Sequence, residues 1–339
     1  MFLRNVVVAA TVLTPFTALA QSSVAIYGLV DIGVAREDVG APGTRKIAVV
    51  AGTQGQSRIG FRGTEDLGGG LKALFNIESG YSLDTGASAP VFFGRRSIVG
   101  LEGSFGLVTL GREYTPIARV AAATDPLEHG FYGTDLNSFD DNARDRIIRR
   151  ASNSINYSTP VFGGLFGRFV YSFGEQVTGP KQNLIGGSVE YNRGAIYLGA
   201  GYHEIERDVA GADKKFILGA GYKFGTFQVK ANYMAADPTG PNNKYEQVNF
   251  GVSTALGNGR LYTSLQQKKD ESGAKARGFG VTYSHNLSKR TNLFTSYGSL
   301  RNNDLGRFAL YSATSKLAPT AAQRGADPTA FVVGMQHRF

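Results

Sequence analysis

The sequence predicts an all-β protein, a sixteen-stranded antiparallel barrel crossing a membrane, and three observations carry that prediction. Apolar and polar residues alternate with period two, segments of near-constant length recur, and the links between them are short and long in turn. Alternation gives a strand one greasy face and one polar face. In a membrane barrel the first meets hydrocarbon and the second meets water, so mean hydropathy stays low. It is slightly negative here.

Residues 1–20 are expected to be a cleaved signal peptide. Arg4 supplies the positive start, Val6 to Leu13 the apolar stretch, and Ala18-Leu19-Ala20 the small-residue site before Gln21. The stretch is shorter than the roughly 18 to 20 residues a spanning helix needs. An exported chain without cysteine has no disulfide scaffold. Residues 21–339 are expected to form one barrel domain, since barrels run long as single units. Of the formal charge of +9, one unit belongs to Arg4. The basic residues are dispersed, and with export this argues against nucleic acid and for a passage that prefers anions.

The strands follow in order. Phe216, Leu218, Ala220, Tyr222 and Phe224 alternate with a smaller or more polar set from which only Ile217 departs. Phe227, Val229, Ala231 and Tyr233 alternate with Gln228, Lys230, Asn232 and Met234, and Phe279, Val281, Tyr283 and His285 with Gly278, Gly280, Thr282 and Ser284. The full set is 24–35, 57–65, 71–82, 95–103, 107–115, 152–158, 165–173, 184–192, 195–204, 215–224, 226–235, 245–256, 260–268, 276–286, 291–300 and 330–339. Most suit the roughly 9 to 11 residues of a tilted spanning strand. The even count brings both chain ends to one side. Short turns such as 66–70, 104–106, 193–194 and 257–259 alternate with links at 36–56, 83–94, 116–151, 174–183, 205–214, 236–244, 269–275 and 301–329. Short periplasmic turns and long outer loops give a barrel this rhythm, and a soluble sandwich has no reason for it.

The longest link, 116–151, carries Asp125, Glu128, Asp135, Asp140 and Asp141, then Arg144, Arg146, Arg149 and Arg150. A link of this length in a compact domain needs a job. Folding inward to narrow the channel is the expected one. Tyrosines near strand ends, namely Tyr27, Tyr81, Tyr157, Tyr171, Tyr202, Tyr222 and Tyr233, with Phe339, fit an interfacial girdle.

Five segments bring a family into view: Val24 to Asp31, Ser57 to Ala73, Arg96 to Arg112, Asn153 to Pro160 and Val333 to Phe339. Through them the whole mature chain resembles the Gram-negative porins of Burkholderia- and Bordetella-like bacteria, and more distantly those of Neisseria. The resemblance implies a homotrimer of separate pores, a third outer loop folded into each lumen, passive diffusion, and anions favoured in several relatives. It also implies that a C-terminal aromatic strand is the signal read by the barrel-assembly machinery, which singles out Phe339. The expected partners are therefore further copies of the chain, that machinery, outer-membrane lipid and lipopolysaccharide, and small ions and solutes. The expected location is the outer membrane, and no cofactor is implied.

Parity assigns the pore charges, because Lys or Arg on the lipid face at mid-membrane costs about 2–4 kcal/mol while the lumen is wet. Ile59 and Phe61 point outward, leaving Arg58 and Arg62 inside; Leu71 to Ile77 place Lys72, Asn76 and Glu78 inside; Ile26 and Val30 place Tyr27 and Asp31 inside. Arg96, Arg112 and Arg150 complete a basic ladder, expected to face Asp125, Glu128 and Asp135 of the long loop. Such rings favour anions, because a low-dielectric wall concentrates their field. The bland reading is salt bridging, with Asp31, Glu65, Glu78 and Glu102 neutralising arginines, and about half the ladder is expected to brace the wall.

Other classes fit less well. A hydrolase needs a base beside a nucleophile, and the histidines are His129, His203, His285 and His337, with no metal-binding or nucleophile motif around them. An adhesin barrel would have fewer strands and a lumen filled by side chains. A substrate-specific channel is the nearest rival.

Overall fold

The computed structural model describes residues 23–135, 149–178, 181–207, 211–241 and 244–339. The expected signal peptide, and Asp140, Asp141, Arg144 and Arg146, lie outside the described residues. In chain order the elements are β1 (Ser23–Asp38), β2 (Lys46–Ala51), β3 (Arg58–Gly68), β4 (Leu71–Gly80), β5 (Arg96–Gly103), β6 (Gly106–Tyr114) and α1 (Pro116–Thr124). Then come β7 (Arg150–Ser158), β8 (Leu165–Ser172), β9 (Leu184–Arg193), β10 (Ile196–Glu206), β11 (Ala212–Phe224), β12 (Phe227–Asp237) and β13 (Tyr245–Leu256). The chain ends with β14 (Gly259–Asp270), β15 (Lys275–Asn286), β16 (Thr291–Asn302), β17 (Leu310–Tyr311), β18 (Lys316–Leu317) and β19 (Thr329–Arg338).

Sixteen long strands make one closed antiparallel barrel. From β3 to β16 each pairs with its sequence neighbours, and β19 joins β16 to β1. Closure removes the sheet edges that hydrocarbon would leave unpaired. The ladder runs to the last residue, where Phe339 and Gly28 exchange two backbone hydrogen bonds of 3.1 Å. No described helix is long and apolar enough to cross a membrane.

Two of the expected links hold strands of their own. Within 36–56, β2 pairs with the upper half of β1, Ile32 to Glu37, while β3 pairs with its lower half, Ser23 to Leu29. The alternating Lys46-Ile-Ala-Val-Val-Ala51 thus continues the line of β3 beyond a break at 52–57. Asp31 spans that break: its carboxylate accepts the backbone N–H groups of Thr53 (2.8 Å), Gln54 (3.2 Å) and Gly55 (3.1 Å), and the Gln336 amide at 3.0 Å. Within 301–329, β17 and β18 form a small hairpin.

Parity orients the wall as the alternation required. Leu198, Leu218, Val248, Leu265, Phe279 and Val333 are exposed on the outside, and Asn232, Gln247, Gln266 and Ser264 are buried inside. Leu218 stands opposite Tyr233 and Ala200, so neighbouring strands share one apolar surface.

The link at 116–151 is not structureless. Pro116 occupies the first turn of α1, where its missing N–H costs nothing. The helix lies along the inner faces of β9, β10 and β11. Ile117, Val120 and Ala121 are buried with Ile217, Met234, Ala236 and Tyr245 of the wall. Leu127, Phe131 and Tyr132 continue the same path into a cluster with Tyr262, Phe294, Leu300 and Phe308.

Polar contacts fix that path. The Gly133 carbonyl accepts from Ser264 (3.2 Å) and Gln266 (3.1 Å), its N–H donates to Tyr311, and the Tyr132 hydroxyl donates to Glu37 at 2.5 Å. The wall makes room with small residues. A methyl group added at Gly298 would lie 2.6 Å from Tyr132 Cβ, and one at Gly280 would lie 2.6 Å from the Tyr132 carbonyl oxygen.

Candidate functional site: the basic wall of the lumen

The polar passage left beside the loop is lined by Arg58, Arg95, Arg119, Arg149 and Arg338, with Gln54, Gln56, Tyr114, Glu128 and Gln336. Its cations come from segments distant in sequence that closure brings together: β3, the approach to β5, α1, the approach to β7 and the end of β19.

Of the expected ladder, Arg58 lies 3.5 Å from Glu78, which also binds Arg95 at 2.6 Å. Arg62 lies over the Tyr27 ring at 5.2 Å and reaches open water. Tyr27 therefore faces the lumen, donating its hydroxyl to Asn76 or Glu78, and is not a girdle residue. Arg96 is held by Glu113, its Nε at 2.8 Å, and the same carboxylate takes Arg119 at 3.0 Å. Arg150 stacks on Tyr114, 4.4 Å from the ring centre, and donates to its hydroxyl at 2.7 Å. Lys72 has luminal parity with Asn76 and Glu78 but stands exposed one residue from the β3–β4 turn, opposite Glu102 and Asp66. It belongs to the rim.

Arg112 departs from the expectation. It stands opposite Ser97 on the face shared by Val99, Leu101 and Leu110, the outward one. Its guanidinium donates to the Gly94 carbonyl and to Ser152, both 2.7 Å away. The alternation is unbroken here: Arg112 follows Val108 and Leu110 at steps of two, so the count itself points it outward, and the inward assignment set that count aside.

The loop acids divide. Glu128 is half exposed in the passage, 4.0 Å from Lys230 and 3.5 Å from the Tyr262 hydroxyl. Asp125 and Asp135 are fully buried between loop and wall and do not face the pore. Asp125 accepts from the Leu127 and His129 backbones and from Thr134, while Asp135 accepts from Asn232 and Asn249. Asp125 folds back on its own turn and satisfies local donors, while Asp135 is taken up by two amides of the wall, so neither reaches across water. Burial raises the Asp125 carboxyl above its ordinary range. Burial and the neighbouring Asp125 raise Asp135 further, and burial drives His129 down toward its neutral form. Donor atoms of Asp125, His129 and Asp135 lie within 4.8 Å of one another, a spacing a metal ion could bridge. The hydrogen bonds of both carboxylates make the group an anchor for the loop.

Several wall residues were missed by sequence reasoning. Arg338 and Arg168 follow from parity with Phe339 and Phe169. Arg95 precedes the first residue of β5 and Arg119 sits on a helix, so strand alternation marked neither. Of the other histidines, His203 is buried on the inner face, whereas His285 and His337 sit near the periplasmic turns beside Tyr283 and Thr291.

A closed barrel with a greasy exterior and a wet arginine-lined interior is a transmembrane diffusion channel. The comparisons agree: the family model for Gram-negative porins matches residues 7–305, and the chain belongs to that family. It is 33% identical to outer membrane porin protein 32 of Delftia acidovorans, over 99% of each chain. It is 26% identical to an outer membrane porin of Bordetella pertussis, over 99% of this chain and 100% of that one. Among solved structures, an anion-selective porin from Comamonas acidovorans superposes with a TM-score of 0.83 at 31% identity, covering 94% of this chain and 100% of that one. OmpT of Vibrio cholerae, solved in a trimer form, shares the fold at 15% identity and TM-score 0.70, over 94% of this chain and 99% of that one. The protein is thus a channel of the outer membrane and not an enzyme.

Proposed function

We propose that the channel prefers anions, that the 116–135 segment sets its narrowest point, and that three copies assemble. The observation that carries the selectivity is the imbalance of charge on the wall. Glu78 and Glu113 each serve two arginines, while Arg62 and Arg150 rest on tyrosine rings. Each shared carboxylate braces the wall yet leaves a surplus positive charge beside the passage. The Comamonas relative, an anion-selective porin, points in the same direction.

The constriction reading rests on the buried anchors of the loop, and the trimer on the family. Phe339 closes the ladder with its ring toward lipid, and we assign it the assembly signal. The test is the reversal potential of the purified protein in a salt gradient. Chloride should pass more readily than potassium, and the preference should fade toward 1 M salt, where the Debye length falls to about 3 Å. Arg62→Glu with Arg150→Glu should move the potential toward cations. An assembled double variant with undiminished anion preference would reduce both residues to bracing.

A further inference from the structure

On the outer face, at the end of the barrel carrying the long links, four cations of three neighbouring strands converge. Lys269 stands opposite Lys275, and Arg277 stands opposite Arg301. The one acid facing them on these strands and β13 is Glu246, 2.7 Å from Lys269. Among the described residues, no carboxylate pairs with Arg277 or Arg301. Like charges directly opposite each other weaken a sheet unless a counter-charge lies between them.

Along β10 to β13 the outward cations of the same rim stand beside acids. Lys214 stands opposite both Glu204 and Asp237, and Lys244 pairs with Asp237 at 3.5 Å.

What lies below the cations identifies the counter-charge. A groove of about 460 Å³ runs between β13, β14 and β15, with Lys269 and Arg277 at its polar end. Val248, Phe250 and Leu265, all exposed, line its length. Phe279 closes the neighbouring row, its ring 5.6 Å from that of Tyr297. The surface is cationic for two rows of residues, Lys269 with Lys275 and Arg277 with Arg301, and below Gln267 it turns apolar at Phe250, Leu265 and Phe279.

We propose that this groove holds lipopolysaccharide of the outer leaflet, one phosphate of its lipid A lying between Arg277 and Arg301 and an acyl chain lying along Phe250 and Leu265. Guanidinium groups suit a phosphate through paired N–H donors. The site gives a place to the lipid expected around any outer-membrane barrel. It is separate from the pore reading, because these side chains face away from the lumen.

The test measures lipid A bound to detergent-purified protein by native mass spectrometry, with lipid A, dephosphorylated lipid A and inorganic phosphate as probes. Wild-type protein should retain lipid A at least tenfold better than the dephosphorylated form, and millimolar phosphate should not displace it. Arg277→Gln with Arg301→Gln should lose retention about as far, Arg277→Lys should keep most of it, and Lys214→Gln should change nothing. Conductance of the double variant should match wild type. Equal retention of the two lipids by wild-type protein would overturn the proposal without any variant having to fold. So would equal losses in the double variant and Lys214→Gln, which would mean an unspecific lipid coat, or displacement by phosphate, which would mean a simple anion site.

Discussion

The two halves of the inner wall obey one alternation and serve opposite ends. From β1 to β7, with β19, the inward positions carry Arg58, Arg62, Arg96, Arg338 and the carboxylates that share them. From β10 to β16 they carry Gly280, Gly298, Ile217 and Met234, and the 116–135 segment lies on top. Side-chain polarity marks which face is inside. Side-chain size marks which part of the inside is left open. A channel needs both, because charges govern passage only where the loop has left them in water and forced ions close to them.

The most damaging test attacks the inside–outside distinction on which both halves depend. Leu218→Arg places a charge on the exposed apolar face of β11, at about 2–4 kcal/mol if it lies near the bilayer midplane. Most of the protein should fail to reach the heat-modifiable assembled form. Lys230→Gln, on the inward face of the neighbouring strand, should assemble close to wild-type yield. Comparable yields on gel shift would mean that the wall has no defined outside.

A smaller effect should separate the two halves. Gly298→Val puts a branched side chain where Tyr132 Cβ would lie 2.6 Å from its first atom. Overpacking of this kind costs about 1–3 kcal/mol, enough to lift part of the loop without opening the barrel. Single-channel conductance should rise while assembly persists. An unchanged conductance in an assembled trimer would place the narrowest point elsewhere.

Much of this was legible in the sequence. Period two fixed the strands to within a few residues, and the face of nearly every wall side chain, because one slip would turn a whole strand's greasy set into the lumen. It failed at β2, where the line of β3 is broken and Asp31 bridges the gap, whereas at Arg112, two residues on from Leu110, the count pointed outward and was overruled in favour of the charge. It could not speak for Asp125 and Asp135, since acids on a link carry no parity. The clue to the docked loop was nevertheless present. Ile217 and Met234 are large apolar residues on a face otherwise small or polar, and they are where α1 packs. An apolar residue inside a wet barrel marks a place where something covers the wall.

The smallest expected effect concerns how firmly the loop is held. Asp125 and Asp135 are buried side by side, and both carboxyls are raised above the ordinary value of 3.8. Burial is the main cause. Lys230 and Lys215 pull in the opposite sense without overcoming it. His129 is driven toward neutrality and adds no positive charge to offset the pair. A docked loop therefore binds a proton more tightly than an undocked one. Its docking is fully supported below the ordinary carboxylate range, and support is lost as pH rises through the raised values. Current noise at fixed voltage, and amide exchange over Leu127 to Asp135, should both increase from acidic to alkaline buffer while the barrel strands stay protected. Asp135→Asn keeps a hydrogen-bonding side chain beside Asn232 and removes one of the two charges, so it should flatten that trend and hold the loop firm at alkaline pH. If Asp135→Asn keeps the full pH dependence, or loosens the loop at every pH, the pair anchors the loop through hydrogen-bond geometry alone and its charge has no part in docking.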